Sequence, residues 1–327
     1  MDGTKFEKEL DPEFLSILSR PPAYLGIWSN EKVTAEKIFS KIGRDIIYPL
    51  IPTPPDPDVI VTDRLIPGPK GAPDIQVRIY EPKIKNELVP GVLYLHYGGY
   101  SIGSPAHEDS TCYRYVKEVN CIIVSPDYRL APENPAPAAY EDCYASLVWL
   151  AANAAGLGVD ASRLAVTGLS SGGGLAIAVA LIARDRKGPS LIFQMPLAPT
   201  LDDRFQTKSS REFRDPRALN YDSCKKVWNL YLGKGHEDRD DISPYAAPSR
   251  AEDLSGLPPC YCHVGGLDPL RDEILDFINR LVQADIPVGF TLYPGGIHAF
   301  ELENPDAEIS KHAINTAVWA LRRALHR

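Results

Sequence analysis

A serine flanked by glycines, a late histidine and an aspartate between them are the residues of this sequence that could do chemistry together. Gly168-Leu169-Ser170-Ser171-Gly172 is a G-x-S-x-G run between a short apolar segment ending at Thr167 and an apolar stretch starting near Gly172. In a strand-turn-helix setting, the glycines permit a sharp turn that lifts the Ser170 hydroxyl above a sheet, at a helix N-terminus where developing negative charge is favoured. A serine hydroxyl is a weak nucleophile until a base takes its proton, and that base needs a carboxylate to orient it. Both follow downstream. Asp268 comes after the apolar segment Cys260–Val264, within Gly265-Gly-Leu-Asp-Pro269, and His298 comes after the segment ending at Tyr293, within Pro294-Gly-Gly-Ile-His-Ala-Phe300.

Structural roles compete with these chemical ones. Ser170 could cap a helix, and Asp268 could be an N-cap. Asp272 is a second candidate acid, but it falls within the helix that Asp268-Pro269 opens, a turn too late. Of the other histidines, His107 and His312 fall in helical stretches, His236 in a charged segment, His263 inside a strand and His326 at the terminus. His298 is therefore the expected base.

Acyl transfer also needs donors aimed at a tetrahedral oxyanion. The apolar segment Gly91–His96 runs into Tyr97-Gly98-Gly99-Tyr100. The backbone N–H groups of Gly98, Gly99 and Ser171 are the expected donors, with an ordinary Gly-Gly loop as the alternative. Six cysteines are scattered along the chain, and only Cys260 and Cys262 lie close together. They alternate along an apolar run and no second pair stands at zinc-ligand spacing, so buried thiols are expected and no metal.

These residues need elements to position them. Val59–Ile66 and Ile75–Tyr80 read as an opening antiparallel pair. Gly91–His96, Cys121–Ser125, Leu164–Thr167, Leu191–Leu197, Cys260–Val264 and Gly289–Tyr293 read as buried strands separated by helices. Such alternation predicts an α/β chain with a mostly parallel, eight-stranded sheet, helices on both faces and ligands at the carboxyl ends of the strands. Residues 1–52 read as a helical element, with Phe14, Leu15, Leu18, Val33, Ile38, Phe39 and Ile42 in helical rhythm. It ends at the proline-rich stretch 51–58, a linker to a main domain over 53–327. Residues 200–235, long, charged and aromatic, suit an inserted helical lid.

Composition bounds the function. Apolar residues make up 44% and charged residues 24% of 327 positions, an ordinary globular balance, and the net charge of -8 with no basic stripe argues against nucleic acid. The longest apolar run, Leu175–Ala183, is too short to span a bilayer, so no membrane partner is expected. The start, with acids and no apolar segment, does not read as a secretory signal, so a cytoplasmic protein is expected.

From about Val89 onward the motifs resemble those of the hormone-sensitive-lipase-like (bacterial family IV) carboxylesterases of the α/β-hydrolase superfamily. His96-Tyr-Gly-Gly99 is similar to the H-G-G-G oxyanion motif, and Asp127-Tyr-Arg-Leu-Ala-Pro-Glu133 matches D-Y-R-L-A-P-E. Gly168–Gly173 is similar to G-D-S-A-G-G, Asp268–Asp272 to D-P-L-R-D and Ile297–Phe300 to I-H-x-F. The resemblance implies an α/β-hydrolase fold, a helical cap over a pocket for short or medium acyl esters, no cofactor, and allows a homodimer. Arg129 and Glu133 read as structural.

Two departures stand out. Tyr97 replaces the first glycine of the oxyanion motif; were φ positive there, the cost would be on the order of 1–2 kcal/mol. Leu169 replaces an acidic residue. Tyr97, Tyr100 and Leu169 are candidate pocket residues, Tyr97 and Tyr100 as walls favouring planar or small groups. The expected activity is serine carboxylesterase. An amidase, lactonase or carbamate hydrolase would use the same machinery, and a non-catalytic small-molecule receptor on the same fold is the alternative of another class.

Overall fold

The computed structural model describes residues 4–19, 50–85 and 87–326. Its centre is an eight-stranded sheet in the order β1-β2-β4-β3-β5-β6-β7-β8. The strands are β1 (Val59–Ile66), β2 (Ile75–Pro82), β3 (Val89–Leu95), β4 (Ile122–Pro126), β5 (Val159–Leu169), β6 (Phe193–Leu197), β7 (Cys260–Gly265) and β8 (Val288–Tyr293). β2 pairs antiparallel with both β1 and β4, while β3 to β8 run parallel with one another.

Every residue of β3, β4, β6 and β7 is buried. Continuous burial means that both faces of these strands are covered, as their unbroken apolar runs require. The edge strands are more open: in β1 Asp63, Arg64 and Leu65 face solvent, and in β8 Gly289 and Leu292 do. β5 begins five residues earlier than the expected Leu164, in the polar stretch Val159-Asp-Ala-Ser-Arg163. That stretch carries too little apolar patterning to read as a strand, yet Val159 and Asp160 pair with Val89 and Pro90 across a bulge at Pro90/Gly91.

The parallel strands deliver their carboxyl ends to one edge. β3 opens into the glycine loop, β5 into the Ser170 turn, β7 into the Asp268 loop and β8 into the His298 loop. Two segments pack near this edge. Residues 200–235 carry the helices Lys208–Glu212 and Tyr221–Leu232, and the second buries Trp228 and Tyr231 completely. Residues 4–19 form a short helix, Lys5–Glu9, and a 3-10 helix, Pro12–Ser19. Their Phe6, Leu10, Phe14 and Ile17 join Leu267, Tyr293, Ile297 and Phe300 in a small core beside the main one. The expected apolar rhythm at Val33, Ile38, Phe39 and Ile42 lies outside the described residues. All six cysteines are free and buried.

Candidate active site

Ser170 sits between β5 and the helix Ser171–Asp185 with φ 58° and ψ -120°, a left-handed conformation a serine adopts only where neighbours enforce it. The enforcement is visible. Its N–H donates to the Leu197 carbonyl at 2.9 Å, and its carbonyl accepts from Thr200 at 3.1 Å and Gly174 at 3.0 Å. Gly172 is required by close approach, since a Cβ there would lie 2.0 Å from the Leu95 carbonyl oxygen and 2.7 Å from that of His96. The serine turn therefore presses directly on the end of β3, where the glycine loop begins.

The structure brings the three expected side chains together. His298 Nε2 lies 2.9 Å from Ser170 Oγ, and His298 Nδ1 lies 2.7 Å from Asp268 Oδ2. Asp268 is fully buried, and its Oδ1 accepts the Leu270 N–H at 2.9 Å. The aspartate thus does what a helix-opening residue does and holds the imidazole as well. Asp272, the rival acid, accepts the Ser209 N–H and pairs with Arg271 instead. Burial of the His298 ring works against its charged form, but the Asp268 carboxylate beside it outweighs burial and holds the imidazole pKa above its ordinary value.

Across from this chain lies the glycine loop. Gly98 has φ 128° and Gly99 φ 58°, and among the described residues neither amide donates to a protein acceptor. Ser171 opens its helix, where the first N–H groups have no intrahelical carbonyl to bind. The arrangement sets a serine hydroxyl, an imidazole and a buried carboxylate in contact, a geometry that acyl transfer can use.

A family model described as alpha/beta hydrolase fold matches residues 92–302. The chain belongs to this family. This α/β hydrolase is 36% identical over 277 residues to the carboxylesterase NlhH of Mycobacterium tuberculosis, an alignment spanning 84% of this chain and 86% of that protein. It is 35% identical over 330 residues to the esterase LipI of the same organism, covering 100% of this chain and 99% of its relative. Among solved structures it is similar to a bacterial heroin esterase, at 35% identity and a TM-score of 0.88 over 99% of this chain and 100% of the other. The resemblance to hormone-sensitive-lipase-like esterases is borne out.

Tyr97 is half-buried and does not have a positive φ, so the condition for strain there is not met. The left-handed tyrosine of the loop is Tyr100, at φ 59°. Tyr100 is 1% exposed and stacks on Tyr231 of the inserted helix with ring centroids 4.0 Å apart, while its hydroxyl donates to the Thr200 carbonyl. Leu169 ends β5 inside the core, paired with Leu197. Arg129 makes two hydrogen bonds from its guanidinium to Asp142, at 2.9 and 2.7 Å, in keeping with a structural brace.

Several neighbours of the site have no motif of their own. Glu301 is buried one turn past His298 and pairs with His263 of β7 at 3.0 Å. Glu273, buried on the helix Arg271–Gln283, accepts the Leu201 and Asp202 amides and so pins the chain leaving β6. Glu108 accepts the Tyr97 amide. Each stands among other polar or charged residues, so the sequence carries no signal that separates them from surface residues. A cavity of about 720 Å³ between the 202–208 loop and the Arg271–Gln283 helix is lined by Asp272 and Glu273 but by none of Ser170, Asp268 and His298.

Proposed function

We propose that this carboxylic ester hydrolase works as a serine esterase with Ser170 as nucleophile, His298 as general base and then acid, and Asp268 as the carboxylate that orients the imidazole. The observation that carries the reading is the unbroken run of contacts Ser170 Oγ to His298 Nε2 at 2.9 Å and His298 Nδ1 to Asp268 Oδ2 at 2.7 Å. With Nδ1–H donated to Asp268, Nε2 bears the lone pair that accepts the serine proton. Ser170 Oγ attacks the ester carbonyl as that proton moves to His298. The carbonyl oxygen gains charge and takes hydrogen bonds from the Gly98, Gly99 and Ser171 amides. His298 then protonates the leaving alcohol, giving an acyl-Ser170 that water, deprotonated by the same imidazole, hydrolyses.

Residues 4–19, the described part of the 1–52 element, and residues 200–235 are read as parts of a cap over this edge, on a catalytic domain formed by 53–327. The contact of Tyr231 with Tyr100 and of Phe14 with Phe300 supports that division. The substrates proposed are small esters with short to medium acyl chains, aromatic ones included, with half-buried Tyr97 facing the pocket. An amide, lactone or carbamate would meet the same groups and differ in leaving-group protonation. A non-catalytic receptor would have no use for an imidazole in contact with a serine.

Fluorophosphonate labelling with mass mapping, alongside turnover of short p-nitrophenyl esters, tests the assignment. Stoichiometric label on Ser170 that disappears in Ser170→Ala is the expected result. A protein that turns over no ester and takes no label would sink the reading.

A further inference from the structure

Glu108 ends the 3-10 turn Pro105–Glu108 that follows the glycine loop, and it is 1% exposed. Its Oε1 accepts the Tyr97 backbone N–H at 3.2 Å, and its Oε2 accepts the Tyr94 hydroxyl at 2.8 Å. Tyr97 immediately precedes Gly98 and Gly99. The same stretch is held from another side by Tyr128, which stacks on His96 with centroids 4.1 Å apart and donates its hydroxyl to the His96 carbonyl at 2.8 Å. A buried carboxyl is costly, and a neutral glutamine could also accept an amide, so the choice of an acid at this place calls for a cause.

We infer that Glu108 is a positioning residue of the glycine loop: by accepting the Tyr97 N–H it sets the peptide plane from which Gly98 and Gly99 present their own amides. The inference rests on the reading of those amides as oxyanion donors. An ionised acceptor binds an N–H more strongly than a neutral one, so the loop is held best with Glu108 charged. Protonation at Oε1 leaves the Tyr97 N–H a much weaker acceptor, and protonation at Oε2 reverses the bond to Tyr94 and leaves Oε1 a neutral carbonyl acceptor.

Burial pushes the Glu108 carboxyl up to about 7, against the downward pull of its bonds to Tyr94 and Tyr97, and the Glu301 charge adds to the rise. Several of the groups packed around it stay in one protonation state near neutrality. Burial raises Tyr94 on β3, Tyr128 after β4, and Cys112 and Tyr115 on the helix Asp109–Val119, which keeps all four protonated. His96 is pushed down to about 3 by burial and stays neutral. His107, on the same turn, is engaged by Ser104, while Asp109 turns away to Tyr80 and Arg78. Two protons then govern activity near neutral pH, one on His298 and one on Glu108. Losing either favours turnover, so activity climbs with pH more steeply than one ionisation allows.

The test is kcat and KM for p-nitrophenyl acetate from pH 5 to 9 in the wild type, Glu108→Gln and Tyr94→Phe. Glu108→Gln keeps an acceptor oxygen and the volume but no ionisation: kcat at pH 8 falls by about ten-fold with KM within about two-fold, and the acid limb drops to a one-proton slope. Tyr94→Phe removes a bond that favours the charged carboxylate, so the steep part of the limb moves to higher pH. Equal kcat and equal slopes in all three proteins would overturn the inference. Spectra of 15N-glycine-labelled protein read the loop without turnover. The Gly98 and Gly99 amides show a titration step near pH 7 that is absent from Glu108→Gln, and a missing step in the wild type overturns the inference. That step supports it even in a protein that hydrolyses no ester, an outcome that would remove the esterase reading alone.

Discussion

Val227 of the inserted helix stands directly over Gly99 of the glycine loop: a Cβ on Gly99 would lie 2.8 Å from Val227 Cγ2. The loop whose amides are proposed to hold the oxyanion therefore has the inserted segment as its roof, and the conformation of one depends on the seating of the other.

Gly99→Ala places a methyl both in a left-handed conformation, at φ 58°, and against Val227. The conformational part alone costs roughly 1–2 kcal/mol. The loop relieves both by turning the Gly99 amide, so kcat on p-nitrophenyl acetate falls by about 10- to 100-fold while KM moves little. Adding Val227→Ala relieves the contact and leaves the backbone strain, so part of the loss returns. Identical kcat for the single and double variants would show that the helix does not press on the loop.

Asp268→Asn tests the orienting acid through both rate and pH. The Asp268 carboxylate is what holds the His298 pKa above 6.5 against burial. The proposed base works only when neutral, so wild-type activity falls as pH drops through that raised value. In the asparagine variant kcat falls by about three to four orders of magnitude, and the residual activity persists to lower pH. Stability runs the other way. A raised folded-state pKa contributes stability that is full below the unfolded value and lost as pH rises through the folded one. An acid limb that does not move in Asp268→Asn would argue that another group sets it.

The elbow, the acid loop and the histidine loop were legible because each is local: a strand, a turn with the required residue and a helix lie consecutively in the chain. The antiparallel opening and the parallel remainder were legible from apolar runs for the same reason. The contacts that hold the site were not. Glu108 reaches Tyr97 only because Tyr94 of β3 and Tyr128 beyond β4 bring the loop back over it, and no spacing rule encodes that path. Tyr97 departs from the glycine motif without strain because the left-handed residue of the loop is Tyr100. Val227 finds Gly99 only through the docking of a whole helix, which the sequence shows as charged and aromatic but does not aim.

Arg250→Ala should unseat the far end of the inserted segment. Asp203 is fully buried just after β6, and Arg250 donates to both of its oxygens at 2.7 and 2.8 Å while His236 approaches at 3.2 Å. Burial alone would raise the Asp203 pKa, yet His236 and Arg250 hold it below the ordinary value. Removing the guanidinium strands a buried carboxylate and costs about 3–5 kcal/mol at pH 7, measured by urea unfolding. A depressed pKa contributes stability above the unfolded value that is lost as pH falls through the folded one, so the gap between wild type and variant narrows toward acid. A gap of the same size at pH 3 and pH 7 would assign the loss to packing rather than charge.

Phe14→Ala separates support of the site from simple stability. Phe14 is 1% exposed and meets Phe300 edge-on with centroids 6.3 Å apart. The same small core holds Leu267 and Ile297, the residues immediately before Asp268 and His298. The N-terminal segment thus braces both loops that carry Asp268 and His298. Truncating the ring removes about 3–5 kcal/mol from unfolding stability. It also lets the two loops relax, and because small displacements of reacting groups are costly, kcat falls by about ten-fold at a temperature where the variant remains folded. Circular dichroism fixes that temperature and p-nitrophenyl acetate reads the rate. Lowered stability with an unchanged kcat would mean that the Asp268 and His298 loops keep their geometry without the N-terminal segment, leaving Phe14 a role in packing alone.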